Sequence, residues 1–106
     1  MQDVISKLRQ FRDERDWKQF HNPKDLSLAL SIEASELLEV FLWKSSEDAD
    51  VGKVKEELAD VLAYAFLLAD SYDLDISEIV LEKIRKNELK YPVNKAKGTA
   101  KKYTDL

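Results

Sequence analysis

The chain has 106 residues, 44% hydrophobic and 36% charged, with two glycines, two prolines, one histidine and no cysteine. That length predicts a single domain over residues 1–106, and the Gly and Pro content is too low for a disordered linker, a collagen-like chain or a turn-rich sandwich, leaving an all-α fold as the expectation. The net charge of −4 is unevenly spread: residues 91–106 carry four lysines against one acid, and residues 1–90 carry 13 basic and 20 acidic side chains, an acidic body that argues against duplex nucleic acid and leaves small phosphorylated ligands compatible.

The first predicted helix spans about residues 2–15, where Val4, Ile5, Leu8 and Phe11 recur at three- and four-residue intervals among charged neighbours. The stretch DWKQFHNPK, residues 16–24, then breaks the pattern with two aromatics, the histidine and an Asn-Pro pair that disfavours helix at Asn22. A second helix is expected from Pro23 or Asp25 to Trp43, with proline tolerated in its first turn and Asp25 suited to its N-terminal dipole. The third is expected from Val51 to Tyr72; beyond Asp60 it is apolar on nearly every side through VLAYAFLLA, which predicts burial all round and, in so short a chain, an oligomer interface. The fourth runs from about Ile76 to Lys90, capped by Asp75 or Ser77 and stopped before Tyr91-Pro92. The basic tail, residues 91–106, is expected to be extended, or mobile from Asn94. The architecture that follows is a four-helix bundle completed by a second or further subunits.

Without cysteine there is no thiolate metal site, and one histidine is too little imidazole for an ordinary zinc site, so any metal here is held by oxygen. The longest apolar run, Val61 to Ala69, has nine residues, against about 20 needed to span a bilayer. MQDVISKLRQ lacks a signal peptide's apolar stretch. A soluble, cytoplasmic protein with no membrane partner is the expectation.

Four carboxylates interrupt apolar faces. By helical spacing Glu33 lies among Leu26, Leu30, Leu37 and Val40, and Glu36 among Ala29, Ile32, Val40 and Trp43; on the third helix Glu57 neighbours Val54, Val61 and Tyr64, and Asp60 neighbours Tyr64 and Leu67. Ionised carboxylates taken out of water cost several kcal/mol each without a counter-charge, so four on facing helices either repel or bind cations. Magnesium (Mg2+) suits them, because it takes hard oxygen ligands and is commonly completed by substrate phosphates. The E-x-x-E and E-x-x-D pairs each place two carboxylates one turn apart on one side, although Lys53, four residues before Glu57, and Lys55 also allow ordinary salt bridges. A carboxylate-bridged di-iron site needs two Glu-x-x-His motifs, whereas the only histidine, His21, has Lys18 at the matching position.

The segments ERDWKQFHNPKDLSLALSIEASELLEVFLWK, EELADVLAYAFLLAD and KIRKNELKYPVNKAKGTAKKYTDL together resemble the MazG-like all-α nucleoside triphosphate pyrophosphohydrolases, in particular their dCTP pyrophosphatase-like branch. The resemblance covers most of the chain. It implies hydrolysis of a (deoxy)nucleoside triphosphate, dCTP or a related dNTP, between the α and β phosphates, giving monophosphate and pyrophosphate in a house-cleaning role. It implies Mg2+ held by Glu33, Glu36, Glu57 and Asp60, and a homo-oligomer, dimer or tetramer, with active sites near subunit contacts. It places Trp17, Phe20, His21, Trp43 and Tyr64 near base and sugar, and makes Lys44, Lys83, Asn87, Lys90 and Tyr91 candidates for phosphate or sugar contacts. Helical spacing alone also allows Trp43 and Tyr64 to be core residues. Glu33 or Glu36 is the expected acceptor of the attacking water's proton. Two other classes fit the same pattern: a helical oligomerisation module whose carboxylates form salt bridges, and a nucleotide-sensing protein that binds triphosphate without turnover.

Overall fold

The computed structural model describes residues 1–106 and is helical throughout. Four long helices stand close to where the periodicity puts them: α1 Gln2–Glu14, α2 Pro23–Glu39, α3 Val51–Ser71 and α4 Ile76–Lys90, followed by a single turn, α5, Val93–Ala96. No helix is long and apolar enough to cross a membrane. The chain gathers into two compact units, Met1–Asp73 and Leu74–Leu106. The division falls just after α3, where Asp73 turns the backbone at φ 54°.

In the first unit α2 and α3 are the main packed pair, and α1 lies against α3. Leu26 of α2, 2% exposed, is the most deeply buried side chain, joined by Ile5 of α1 and Leu67 and Ala69 of α3. The helix starts are set by local chemistry. Asn22 caps α2 by accepting from the Asp25 N–H at 2.9 Å, and its own amide donates to the Asp25 carboxylate at 2.7 Å. Asp50 caps α3 by accepting from the Gly52 N–H at 2.9 Å. Each bond satisfies a donor that the helix would otherwise leave bare.

The helix ends are less regular. Helix α1 closes in a Schellman arrangement, with Trp17 N–H bonded to Arg12 C=O at 3.0 Å and Asp16 N–H to Asp13 C=O at 3.1 Å. Asp16 takes the left-handed conformation, φ 53°, that glycine usually supplies there. Helix α2 ends four residues before the expected Trp43. The Val40, Phe41 and Leu42 N–H groups bond three residues back, to Leu37, Leu38 and Glu39, tightening the chain out of α geometry. Trp43 then adopts φ 61°, a conformation that costs a non-glycine residue about 1–2 kcal/mol. The burial all round expected of α3 beyond Asp60 is also incomplete in the single chain, since Leu62 is 45% exposed.

In the second unit Asp75 caps α4 through the Glu78 N–H at 2.9 Å. The tail is not extended throughout as expected: besides α5, residues Tyr103–Asp105 form a 3-10 turn. Its anchor is aromatic, with Tyr103 edge-on to Tyr91 at 6.0 Å and the Lys90 ammonium 4.9 Å from the Tyr103 ring.

Candidate metal centre and adjoining cavity

Glu33 and Glu36 stand one turn apart on α2, and Glu57 reaches them from α3; one carboxylate oxygen of each lies within 4.8 Å of the others. The pairing of α2 with α3 makes the cluster, because both carboxylate-bearing faces are the faces that pack. Oε2 of Glu33 and Oε2 of Glu57 are buried without a hydrogen-bond partner. Burial first, and the approach of Glu36 second, push Glu33 up to about 7. Glu57 is raised as well, by burial and then by the charges of Glu36 and Asp60. Buried oxygens without donors and carboxylates that resist ionisation are what an oxygen-ligand cation site looks like before its counter-charge arrives. The donor set, three carboxylates and no nitrogen or sulfur, suits a hard divalent cation.

Of the four carboxylates singled out by spacing, three come together and the fourth stands beside them. Asp60 lies one turn beyond Glu57 on α3, outside the group of three, yet its charge contributes to raising both Glu33 and Glu57. Asp60 also lines a cavity of about 130 Å3 with Trp17, His21, Tyr64, Phe11 and Arg12. The cavity therefore begins where the carboxylate cluster ends. Its aromatic wall is held from two sides: the Schellman turn brings Trp17 back edge-on to Phe11 at 5.7 Å, and His21 meets Tyr64 edge-on at 6.4 Å. Nδ1 of His21 is buried and unpartnered, and burial first, then the charge of Arg12, lowers its pKa. His21 is thus a neutral imidazole with unused hydrogen-bonding capacity.

Trp17, His21 and Tyr64 are accordingly gathered in one place. Phe20 is 62% exposed and does not line that cavity. Trp43, 93% exposed, and Lys44 lie in the turn after α2 and do not line it. Lys83 and Asn87 border a shallow apolar groove on α4 with Ile79, Val80 and Ile84, and Lys90 and Tyr91 hold Tyr103.

One residue of the cavity escapes sequence reasoning. Arg12 is 9% exposed, a buried cation on a helix that reads as a charged surface helix. Its partner is Asp70 of α3, whose Oδ2 stands 3.7 Å from Nη1, and Asp70 also accepts from Arg9 Nε at 2.9 Å. The available signal was Asp70 itself, an acid closing the apolar run VLAYAFLLA, which needs a basic partner from elsewhere.

Comparison with known proteins bears on the same elements. The MazG-like family model matches residues 28–106, from within α2 to the end of the chain. The dCTP pyrophosphatase 1 of rat is 41% identical over 116 aligned positions, and the human protein of that name 37% over 114; each alignment takes in all of this chain and 67% of the relative. A crystal structure of a pyrophosphatase from Archaeoglobus fulgidus is 43% identical and superposes with a TM-score of 0.81, covering 87% of this chain and 92% of that one. A two-helix carboxylate cluster, an all-helical fold and full-length similarity converge, and the chain belongs to the MazG-like family, in its dCTP pyrophosphatase-like branch.

Proposed function

We propose that this protein hydrolyses deoxynucleoside triphosphates, dCTP foremost, between the α and β phosphates, releasing monophosphate and pyrophosphate. The observation that carries the reading is the continuity of the carboxylate cluster with the aromatic cavity through Asp60. A nucleotide has the same two ends, a polyanion and a flat ring. Relatives at about 40% identity that bear the name dCTP pyrophosphatase support the substrate class.

Glu33, Glu36 and Glu57, with Asp60 beside them, would hold magnesium. When bound, the metal supplies the positive charge that lets a triphosphate enter an acidic site, and it aligns the phosphorus for attack. The remaining work belongs to the chain. Trp17 and Tyr64 hold the base against aromatic surface, and neutral His21 offers a hydrogen bond without adding charge. Glu33 or Glu36 accepts the proton of the attacking water. Asp60, placed between cluster and cavity, marks where the sugar and α-phosphate lie. Lys44, Lys83, Asn87, Lys90 and Tyr91 are candidates for phosphate or sugar contacts in an assembled homo-oligomer, and Trp43 for the base. The role is clearance of surplus or modified deoxynucleotides in the cytoplasm.

The test is product analysis with each of the four deoxynucleoside triphosphates, in magnesium and in chelator. Monophosphate and pyrophosphate released in equal amounts, only with metal and fastest from dCTP, is the expected result. Release of inorganic phosphate in their place, or no turnover by folded protein, refutes the reading.

A further inference from the structure

The aromatic cavity has a neighbour. A second space in the first unit, about 490 Å3, is lined on its polar side by Arg9, Arg12, Lys18, Asp70 and Asp73. Arg12, His21 and Leu67 line both spaces and so form the wall between them. Arg12 is the member of that wall held by polar contacts at several points. Its Nε donates to Asp13 at 2.8 Å, its Nη1 faces Asp70, and its carbonyl accepts the Trp17 N–H at 3.0 Å. The side chain is only 11% exposed. A leucine or methionine could swing aside for a larger ligand. Arg12 could do so only by giving up its place beside Asp70 in a setting where charges are poorly solvated.

Size gives the wall a consequence. A cavity of about 150 Å3 is enough for one benzene ring, and the aromatic space measures about 130 Å3. Its enclosed part suits a single six-membered ring; the space is open to solvent on one side, and the inward direction, in which the second ring of a purine would stay enclosed, leads past Arg12 into the second space. We infer that Arg12 is a specificity-determining residue, a fixed partition that confines the base pocket to pyrimidines. Shortening it joins the two spaces and admits purines. The inference rests on the nucleotide reading of the cavity.

The experiment compares kcat/KM for dCTP, dTTP, dATP and dGTP in wild type, Arg12→Ala and Arg12→Met. Wild type is expected to favour pyrimidines. Arg12→Ala should raise the purine-to-pyrimidine ratio by about tenfold or more, chiefly by lowering KM for the purines. Arg12→Met keeps the length of the stem but loses the contacts to Asp13 and Asp70, so it should raise the ratio in the same direction, by less than Arg12→Ala. Removing Arg12 leaves Asp70 its bond from Arg9, so Arg12→Ala should fold. Should it melt early, Asp70→Asn, which frees Arg12 without deleting it, should shift the ratio in the same direction. An unchanged ratio in the folded variants overturns the inference, as does a wild type that takes purines as readily as pyrimidines. If wild type cleaves none of the four, the proposed function fails by itself. The partition is then judged by dissociation constants for the same triphosphates, measured calorimetrically in magnesium, with the same expected and refuting ratios.

Discussion

Glu36 sits between two carboxylates whose protonation it perturbs, so its loss has opposite effects on turnover and on the metal-free fold. Glu36→Gln should lower kcat/KM by at least about a hundredfold, equivalent to about 2.7 kcal/mol, while the chelated protein melts at the same temperature or higher because a repulsion has been removed. Retained turnover in a pyrophosphate-release assay would exclude Glu36 from the site. Glu33 makes a pH-dependent counterpart. Its carboxyl ordinarily titrates at 4.5 and is pushed up to about 7 in the folded chain, so the folded state binds the proton more tightly than the unfolded state does. The contribution to stability is full below about pH 4.5 and is lost as pH rises through 7. In chelator, the wild-type melting temperature should therefore fall across that interval relative to Glu33→Gln; a constant difference between the two would refute the account. Taking the difference removes His21, whose lowered pKa acts in the opposite sense. Residues of this kind are readable from sequence because a carboxylate on an apolar stripe is a local contradiction. Arg12 was not readable, since a basic residue in the last turn of a charged helix looks solvated until its distant partner Asp70 is found beside it.

Among the elements, the helix starts and the ends of α1, α3 and α4 follow from sequence to within a residue or two, and the end of α2 does not. Asn22, Asp50 and Asp75 each accept from an N–H two or three residues onward, so the start signal is contained in a few residues. Asn22→Ala should cost about 1 kcal/mol, read as a lowered denaturation midpoint at unchanged slope. It should also loosen the loop that carries His21, raising KM for dCTP more than it lowers kcat; equal effects on both would mean that the cap serves stability alone. The ends of α1 and α2 depend on left-handed residues that are not glycine, Asp16 and Trp43. Nothing in the local pattern announces them. The Asp16 turn nevertheless matters for the cavity, because it reverses the chain and sets Trp17 against Phe11. The isolated tail residues were likewise unreadable, since Tyr103 returns to Tyr91 across a stretch with no periodicity.

For the whole molecule, the imbalance is between apolar content and apolar burial. Ile5, Leu26, Leu67 and Ala69 are the buried apolar residues of the single chain, while Leu38, Leu42, Leu89 and Val93 are 57% to 85% exposed. Exposure on that scale is expected where copies of a chain cover one another, and sedimentation equilibrium should return a dimer or tetramer at micromolar concentration. A monomer that remains folded and active there would refute it. Composition and helical spacing indicated such an assembly without indicating which faces take part, because pairing between copies leaves no periodic mark of its own. The left-handed turn at Trp43 adds something practical. It leaves one indole almost wholly in water, 93% exposed, while the other, Trp17, is 43% exposed beside the cavity. The protein therefore carries two optical reporters of different standing. Emission from Trp43 should move to shorter wavelength when a neighbouring copy covers it in the absence of nucleotide, and emission from Trp17 should be quenched when a base stacks nearby, so nucleotide-free association and ligand entry can be followed one after the other, without a label, in variants that keep one indole at a time.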